Sequence, residues 1–290
     1  MVFLGIQSET ISVNIFKGNG QYMKKLIKGL GQFKANYFST HTDLFEQLAH
    51  GQKPRVLFIT CSDSRIDPNL ITQAEVGELF VIRNAGNIIP PFGAAHGGEG
   101  ATVEYAIHAL GIEQVVVCGH SHCGAMKGLL QLNKLQEDMP LVYNWLQHTE
   151  ATRRLVKENY SDYSGEELLE VTIAENVLTQ IENLKTYPVV RSKLYQGKLQ
   201  IYGWIYHLET GEVMAYDPEN HAYVIPQSQL PGNQPTLGEF ITTSAPPVAC
   251  ERPYRQAQQG KLQGNGADAL PWLSPEQQER IYRGSTARNS

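Results

Sequence analysis

Three short apolar runs constrain this chain more than anything else in it. Val56-Leu57-Phe58-Ile59-Thr60, Leu79-Phe80-Val81-Ile82 and Val115-Val116-Val117-Cys118 are β-branched or aromatic almost throughout. They lack the polar alternation of a strand that faces water on one side, and so read as buried strands. After the first come a loop and a short helix, with Pro68 suited to the first helical position. After the second come a Gly/Pro loop, Gly86 to Gly98, and a helix through Val103, Tyr105 and Leu110. Strand, helix, strand, helix, strand with such apolar strands predicts an α/β fold: a mostly parallel central sheet flanked by helices on both faces. Helical spacing also recurs at Leu26, Ile27, Leu30, Phe33, Tyr37 and Phe38, at Asp43–His50, and over 124–132, 140–159 and 165–187. Leu199–Leu208 and Glu212–Tyr216 flank a turn at Glu209-Thr210-Gly211, which reads as a closing hairpin.

Composition removes several alternatives. The chain has 290 residues, 41% of them hydrophobic, and a formal charge of −5. Its mild acidity argues against a nucleic-acid binder. No apolar run reaches the roughly 18–20 residues that span a bilayer. Four cysteines are too few to staple a chain of this length into a disulfide scaffold. Order is unevenly distributed. Eight of the fifteen prolines and only nine Leu, Ile, Val or Phe residues fall in 226–290, so that stretch reads as a flexible, disordered Pro-rich tail. At the other end, residues 1–22 lack the pattern of a secretory signal or transit peptide. Met23-Lys24-Lys25-Leu26-Ile27 opens a well-patterned helix, so 1–22 reads as an upstream extension of the natural start.

The chemistry sits where open α/β sheets place their sites, beyond the carboxyl ends of the strands. Cys61-Ser62-Asp63-Ser64-Arg65 follows the first strand, and Gly119-His120-Ser121-His122-Cys123-Gly124 follows the third. Soft thiolates with imidazole suit Zn²⁺, and Cys61, His120 and Cys123 make the three protein ligands of a zinc with an open position. His122 competes with His120, but the two-residue gap from His120 to Cys123 is typical of zinc loops, whereas adjacent His122 and Cys123 reach one ion with difficulty. Cys118 lies inside an apolar strand and reads as core packing; Cys250 lies in the tail without a partner. A bidentate Arg65–Asp63 pair would orient the carboxylate to accept a hydrogen bond from metal-bound water, which zinc acidifies from a pKa of 15.7 to about 7. The bland alternative for that pair is a loop salt bridge.

At these residues the chain resembles the β-class carbonic anhydrases. The resemblance extends to Arg83-Asn84-Ala85-Gly86-Asn87 and Gly98-Glu99-Gly100-Ala101, and runs from about Met23 to Tyr216. The body, together with the ending Glu276-Gln277-Gln278-Glu279-Arg280-Ile281-Tyr282-Arg283-Gly284, resembles the carboxysomal members of that family in cyanobacteria. The resemblance implies reversible hydration of CO₂ to bicarbonate and a proton, with Cys61, His120 and Cys123 on zinc and Asp63 and Arg65 as the catalytic dyad. It implies a catalytic domain over 23–225, with residues 23–50 as a helical arm that wraps a neighbour in a homodimer or a higher oligomer built from dimers. The backbone N–H of Gly124 would position substrate. Some family members hold an inhibitory bicarbonate with a Trp, an Arg and a Tyr; Arg83 and Tyr206 match the last two, but Phe58 stands in the Trp position. Phe has no indole N–H, so Asp63 is expected to stay off the metal near neutral pH.

In the tail, Ser274 suits an N-cap, Pro275 the first helical position, Gln277 the capping box and Gly284 the stop, which predicts a short helix over 272–284. By resemblance, that segment docks the enzyme onto a scaffold or shell protein of the carboxysome. The implied location is cytoplasmic, inside that compartment, where CO₂ is released for carbon fixation. Two other readings keep the site: a zinc hydrolase of CS₂ or COS on the same fold, and a zinc-stabilised scaffold component without catalysis.

Overall fold

Strand β1 (Val56–Cys61) is hydrogen-bonded in parallel to both neighbours, β2 (Leu79–Asn84) on one side and β3 (Gln114–His120) on the other. The computed structural model describes residues 20–95 and 97–226. Expectations for the tail, including the 272–284 helix and Cys250, and for residues 1–19 lie outside the described residues. Strand β4 (Gln200–Tyr206) adds to β3 in parallel, and β5 (Val213–Asp217) and β6 (Ala222–Val224) follow antiparallel. The sheet order is β2-β1-β3-β4-β5-β6, so the mostly parallel α/β architecture and the closing hairpin are both present.

One face of the sheet carries the main core. Leu57 and Ile59 of β1 and Val115 and Val117 of β3 pack with residues of α5 (Gly124–Leu130), α7 (Pro140–Leu146), α9 (Gly165–Lys185) and α10 (Pro188–Tyr195), and with Val103. The middle of helix α9, residues 171–177, is buried all round. It lies against the sheet at two glycines. A Cβ on Gly119 would sit 2.9 Å from Val177 Cγ2, and one on Gly203 would sit 3.0 Å from Val177 Cγ1. The opposite face is thinner, a cluster of Phe58, Val116 and Cys118 edged by Ile71, Trp204 and Tyr206.

Three sequence expectations change. The run Leu79–Ile82 is not a buried strand: β2 is an edge of the sheet, only its Ile82 is buried, and Val81 is exposed. An apolar run reports burial on average but not its place in the strand order. The helix expected over 140–159 is broken into α7, a tight turn at Gln147–Thr149 and α8 (Glu150–Asn159), where Thr149 Oγ1 bonds Asn176 Oδ1 of α9. Finally, α10 and β6 carry no signal that the sequence reading caught. The other helices are α3 (Pro68–Thr72), capped by Asp67 as Pro68 suggested, α4 (Gly98–Glu104) and α6 (Leu135–Asp138).

Residues 20–52 form a unit of their own: α1 (Gly20–Gln32), a wide turn over Phe33–Tyr37, a tight turn at Phe38–Thr40 and α2 (Thr42–Ala49). Phe33, Tyr37 and Phe38 gather round Phe45 with ring centroids 4.9 to 6.1 Å apart. Leu26, Ile27 and Leu30 are exposed.

Candidate metal centre

The carboxyl ends of β1 and β3 deliver the two loops to one point. Cys61 is the last residue of β1, His120 the last of β3, and Cys123 caps α5 three residues later. Their ligand atoms all lie within 4.8 Å of one another, and all three residues are buried. His120 decides the chemistry. Its Nδ1 is 2.8 Å from the Ser121 carbonyl oxygen, an acceptor only, so Nδ1 carries the proton and Nε2 presents a lone pair. Nε2 is buried and has no hydrogen-bond partner. A buried acceptor left bare costs free energy unless a cation or donor meets it.

The thiols agree with that donor set. Cys61 is drawn down to about 4, first by the hydrogen bond from Cys123 and further by the backbone N–H groups of Gly86 and Asp63, against the effect of burial. The Gly86 nitrogen is 3.3 Å from Cys61 Sγ. Cys123 is pushed up by its bond to Cys61, by burial and by the Cys61 charge. The downward direction at Cys61 favours the thiolate, the form in which a cysteine binds a soft dication. Two thiolates and one imidazole fit a zinc-type metal and leave one of four positions free. Cys118, by contrast, is fully buried and pushed up to about 12 by desolvation, as core packing requires.

Asp63 and Arg65 stand beside this cluster. Arg65 donates from Nε to Asp63 Oδ1 at 2.9 Å and from Nη2 to Oδ2 at 2.7 Å, the bidentate pair expected from the sequence. Hydrogen bonding by Arg65 holds the Asp63 carboxyl well below the usual carboxylate range. Asp63 Oδ2 is 3.9 Å from His120 Nε2. Arg65 Nη2 also reaches the His122 carbonyl at 3.2 Å, tying the two loops together. The His122 side chain turns to Glu209 and Glu166 and stays out of the metal cluster, which holds His120, the histidine that the spacing favoured.

Arg83 and Tyr206 share one face of the sheet. They stand on β2 and β4, with β1 and β3 between them. The Arg83 guanidinium donates to the carbonyls of Cys61 at 3.0 Å and Asp63 at 2.7 Å. Tyr206 packs against the Phe58 cluster. Gly124 opens α5, and a Cβ there would meet nothing within 4 Å.

The comparisons agree with the geometry. A family model described as carbonic anhydrase matches residues 56–213. The carbonic anhydrase of Synechococcus elongatus is 61% identical over 272 residues, covering 91% of this chain and all of that protein. The chain belongs to the β-class carbonic anhydrase family. The carbonic anhydrase of Synechocystis sp. is 58% identical with the same coverage. The solved structure of the β-carbonic anhydrase CcaA superposes with a TM-score of 0.70 at 67% identity, covering 71% of this chain and 100% of its own. Among structures of family members at greater distance, one of two tetrameric β-carbonic anhydrases of Sordaria macrospora gives a TM-score of 0.61 at 26% identity, over 67% of this chain and 96% of its own. Sequence reasoning missed part of this centre. A polar ladder on α9, Asn176, Gln180 and Asn183, holds the 86–89 loop beside Cys61 through Gly86 O, Ile89 N and Ile89 O. Polar residues at i, i+4 and i+7 along one line of the helix were the available signal.

Proposed function

We propose that this chain is a zinc enzyme that interconverts CO₂ and bicarbonate with release or uptake of a proton. Cys61, His120 and Cys123 hold the zinc, and Asp63 and Arg65 form the catalytic pair. The observation that carries this reading is the buried, partnerless His120 Nε2 within 4.8 Å of two thiols, beside a carboxylate with both oxygens already held. Bound zinc supplies the Lewis acid that brings the pKa of water to about 7 and so makes hydroxide available at neutral pH.

The chain's own residues do the rest. Asp63 is ionised and can only accept, so it orients the attacking water by taking a hydrogen bond from it. Arg65 fixes the carboxylate plane and joins its loop to the His122 loop. The Arg83 fork on the Cys61 and Asp63 carbonyls secures the backbone between ligand and carboxylate. The open space beside Gly124 leaves its N–H as the group that positions a CO₂ or bicarbonate oxygen. Asp63 stays off the metal near neutral pH, because Arg65 engages both oxygens, Arg83 is committed to carbonyls and Phe58 offers no N–H. A structure at pH 8 with Asp63 Oδ as the fourth ligand would overturn that part.

The exposed Leu26, Ile27 and Leu30 of α1 support an arm that packs on a second copy in a dimer or an assembly of dimers. Location inside the carboxysome, with 226–290 docking to a scaffold or shell protein, is supported by the cyanobacterial relatives. Their likeness spans 272 residues, more than the 206 described over 20–95 and 97–226. No described helix is long and apolar enough to cross a membrane. The test combines metal content per chain with stopped-flow CO₂ hydration, on the full chain and on a chain lacking 227–290. The expected result is one zinc per chain and hydration by both, with only the full chain sedimenting with carboxysomes. Sulfide release from CS₂ without CO₂ hydration would favour the hydrolase; zinc without either activity would favour the scaffold.

A further inference from the structure

We infer that Trp145 is a positioning residue for the metal centre, acting through the Ala85–Gly86 peptide on the Cys61 thiolate. The inference rests on the reading of Cys61 as a metal ligand and concerns how that ligand is tuned. Trp145 Nε1 donates to the Ala85 carbonyl oxygen at 2.8 Å. The N–H of the same peptide unit, on Gly86, donates to Cys61 Sγ at 3.3 Å. A peptide unit is planar and trans, so holding its C=O sets the direction of its N–H. A donor on the carbonyl also polarises the unit and strengthens the N–H as a donor to negative sulfur.

The neighbouring bonds leave this peptide little freedom. The next carbonyl, Gly86 O, accepts from Asn176 Nδ2 at 3.0 Å. Asn176 is itself fixed, its Oδ1 accepting from Thr149 Oγ1 and Gln180 Nε2, both at 2.9 Å. Gly86 has φ +84, and an added Cβ would lie 2.9 Å from Met126 Cε and 3.0 Å from Ala125 Cβ. Only glycine takes that conformation without strain. The Asn176 bond and the Gly86 backbone hold the loop in place. The indole bond has a narrower effect, because it acts on the one peptide whose N–H faces the ligand sulfur. Trp145 is half-buried, and its ring could serve packing alone; the N–H is what separates the two roles.

The experiment uses Co(II)-substituted full-length protein and reads the thiolate-to-cobalt charge-transfer absorption, with Co(II) and Zn(II) affinities from chelator competition. Trp145→Phe keeps a ring and removes the donor. It should shift the charge-transfer band and weaken metal binding by roughly tenfold, at the low end of what loss of an outer partner of a metal ligand costs. Tyr187→Phe removes a bond to the same loop further along, from the Tyr187 hydroxyl to Pro90 O at 2.8 Å, without touching the 85–86 peptide, and should leave band and affinity unchanged. Should Trp145→Phe fold poorly, replacement of Trp145 by 3-benzothienylalanine keeps the bicyclic shape, lacks the N–H and should reproduce the shift. An unchanged band in the donor-free protein overturns the inference, as does an equal change in Tyr187→Phe, which would mean general loosening. If wild-type protein takes up no Co(II) with thiolate absorption, the metal reading itself fails first.

Discussion

Cys61 and Cys118 occupy adjacent strands of one sheet, a single residue apart in register, since Thr60 is the partner of Cys118. Yet one thiol is drawn down to about 4 and the other pushed up to about 12. The residue type is the same and both are buried, so the difference lies in what surrounds the sulfur. At the rim, where β1 ends, Cys61 meets another thiol, an imidazole and two backbone N–H groups. One residue further in, Cys118 lies with Phe58 and Val116 on the thinner face, where desolvation of a charged sulfur dominates. The carboxyl-terminal rim of the sheet is built to hold charge, and its interior to exclude it.

That contrast breaks most visibly at the proposed ligand. Cys61→Ala should lose the metal and lower CO₂ hydration by more than about 10³-fold, beyond the 10–100-fold typical of outer partners of a metal site. Metal content and stopped-flow rates on the same preparation check it. A Cys61→Ala protein that retains full metal and rate removes the rim from the chemistry. Arg65→Lys is the next largest. Lysine cannot offer the two-pronged fork that holds Asp63, so the rate should fall about 10- to 100-fold while metal content stays at the wild-type level. Loss of metal together with rate would show that Arg65 builds the ligand loop rather than orienting Asp63. Cys118→Ala tests the interior. It should cost roughly 1 to 2 kcal/mol of stability by removing fully buried atoms, measured by denaturant unfolding, with hydration unchanged. An activity loss from Cys118→Ala comparable with that of Cys61→Ala would erase the distinction.

The rim was legible in the sequence because its logic is one of placement. Apolar runs announced β1 and β3, and reactive residues directly after them land at strand ends whatever the loops do in detail. The spacing of His120 and Cys123 then separated His120 from His122. What stayed hidden involves backbone partners. Arg83 bonds two carbonyls and Trp145 a third, and every residue has a carbonyl, so nothing in the sequence marks those acceptors. β2 was misplaced for a related reason. Leu79-Phe80-Val81-Ile82 is as apolar as a central strand, but the sheet order that puts it at an edge is set by crossovers that composition does not encode.

The interior also holds one group that departs from its own rule, and it offers the smallest test. Glu175 lies on α9, almost fully buried, with the Tyr160 hydroxyl donating to its Oε1 at 2.6 Å. Burial raises its carboxyl above the ordinary value of 4.5, and the Tyr160 bond only partly opposes this. A carboxyl that holds its proton more tightly when folded favours the folded state at low pH. That contribution is lost as pH rises from the unfolded value through the raised folded one. Glu175→Gln keeps an acceptor for Tyr160 and cannot ionise, so its stability should lack this component of the pH dependence. Relative to wild type, Glu175→Gln should gain stability as pH rises from 4.5 to the raised folded value, then hold a constant advantage above it, as read from unfolding midpoints across pH. A difference between the two proteins that is flat with pH would mean Glu175 is ionised in the folded state as readily as in the unfolded one. The interior would then tolerate a charge that the contrast between Cys61 and Cys118 says it excludes.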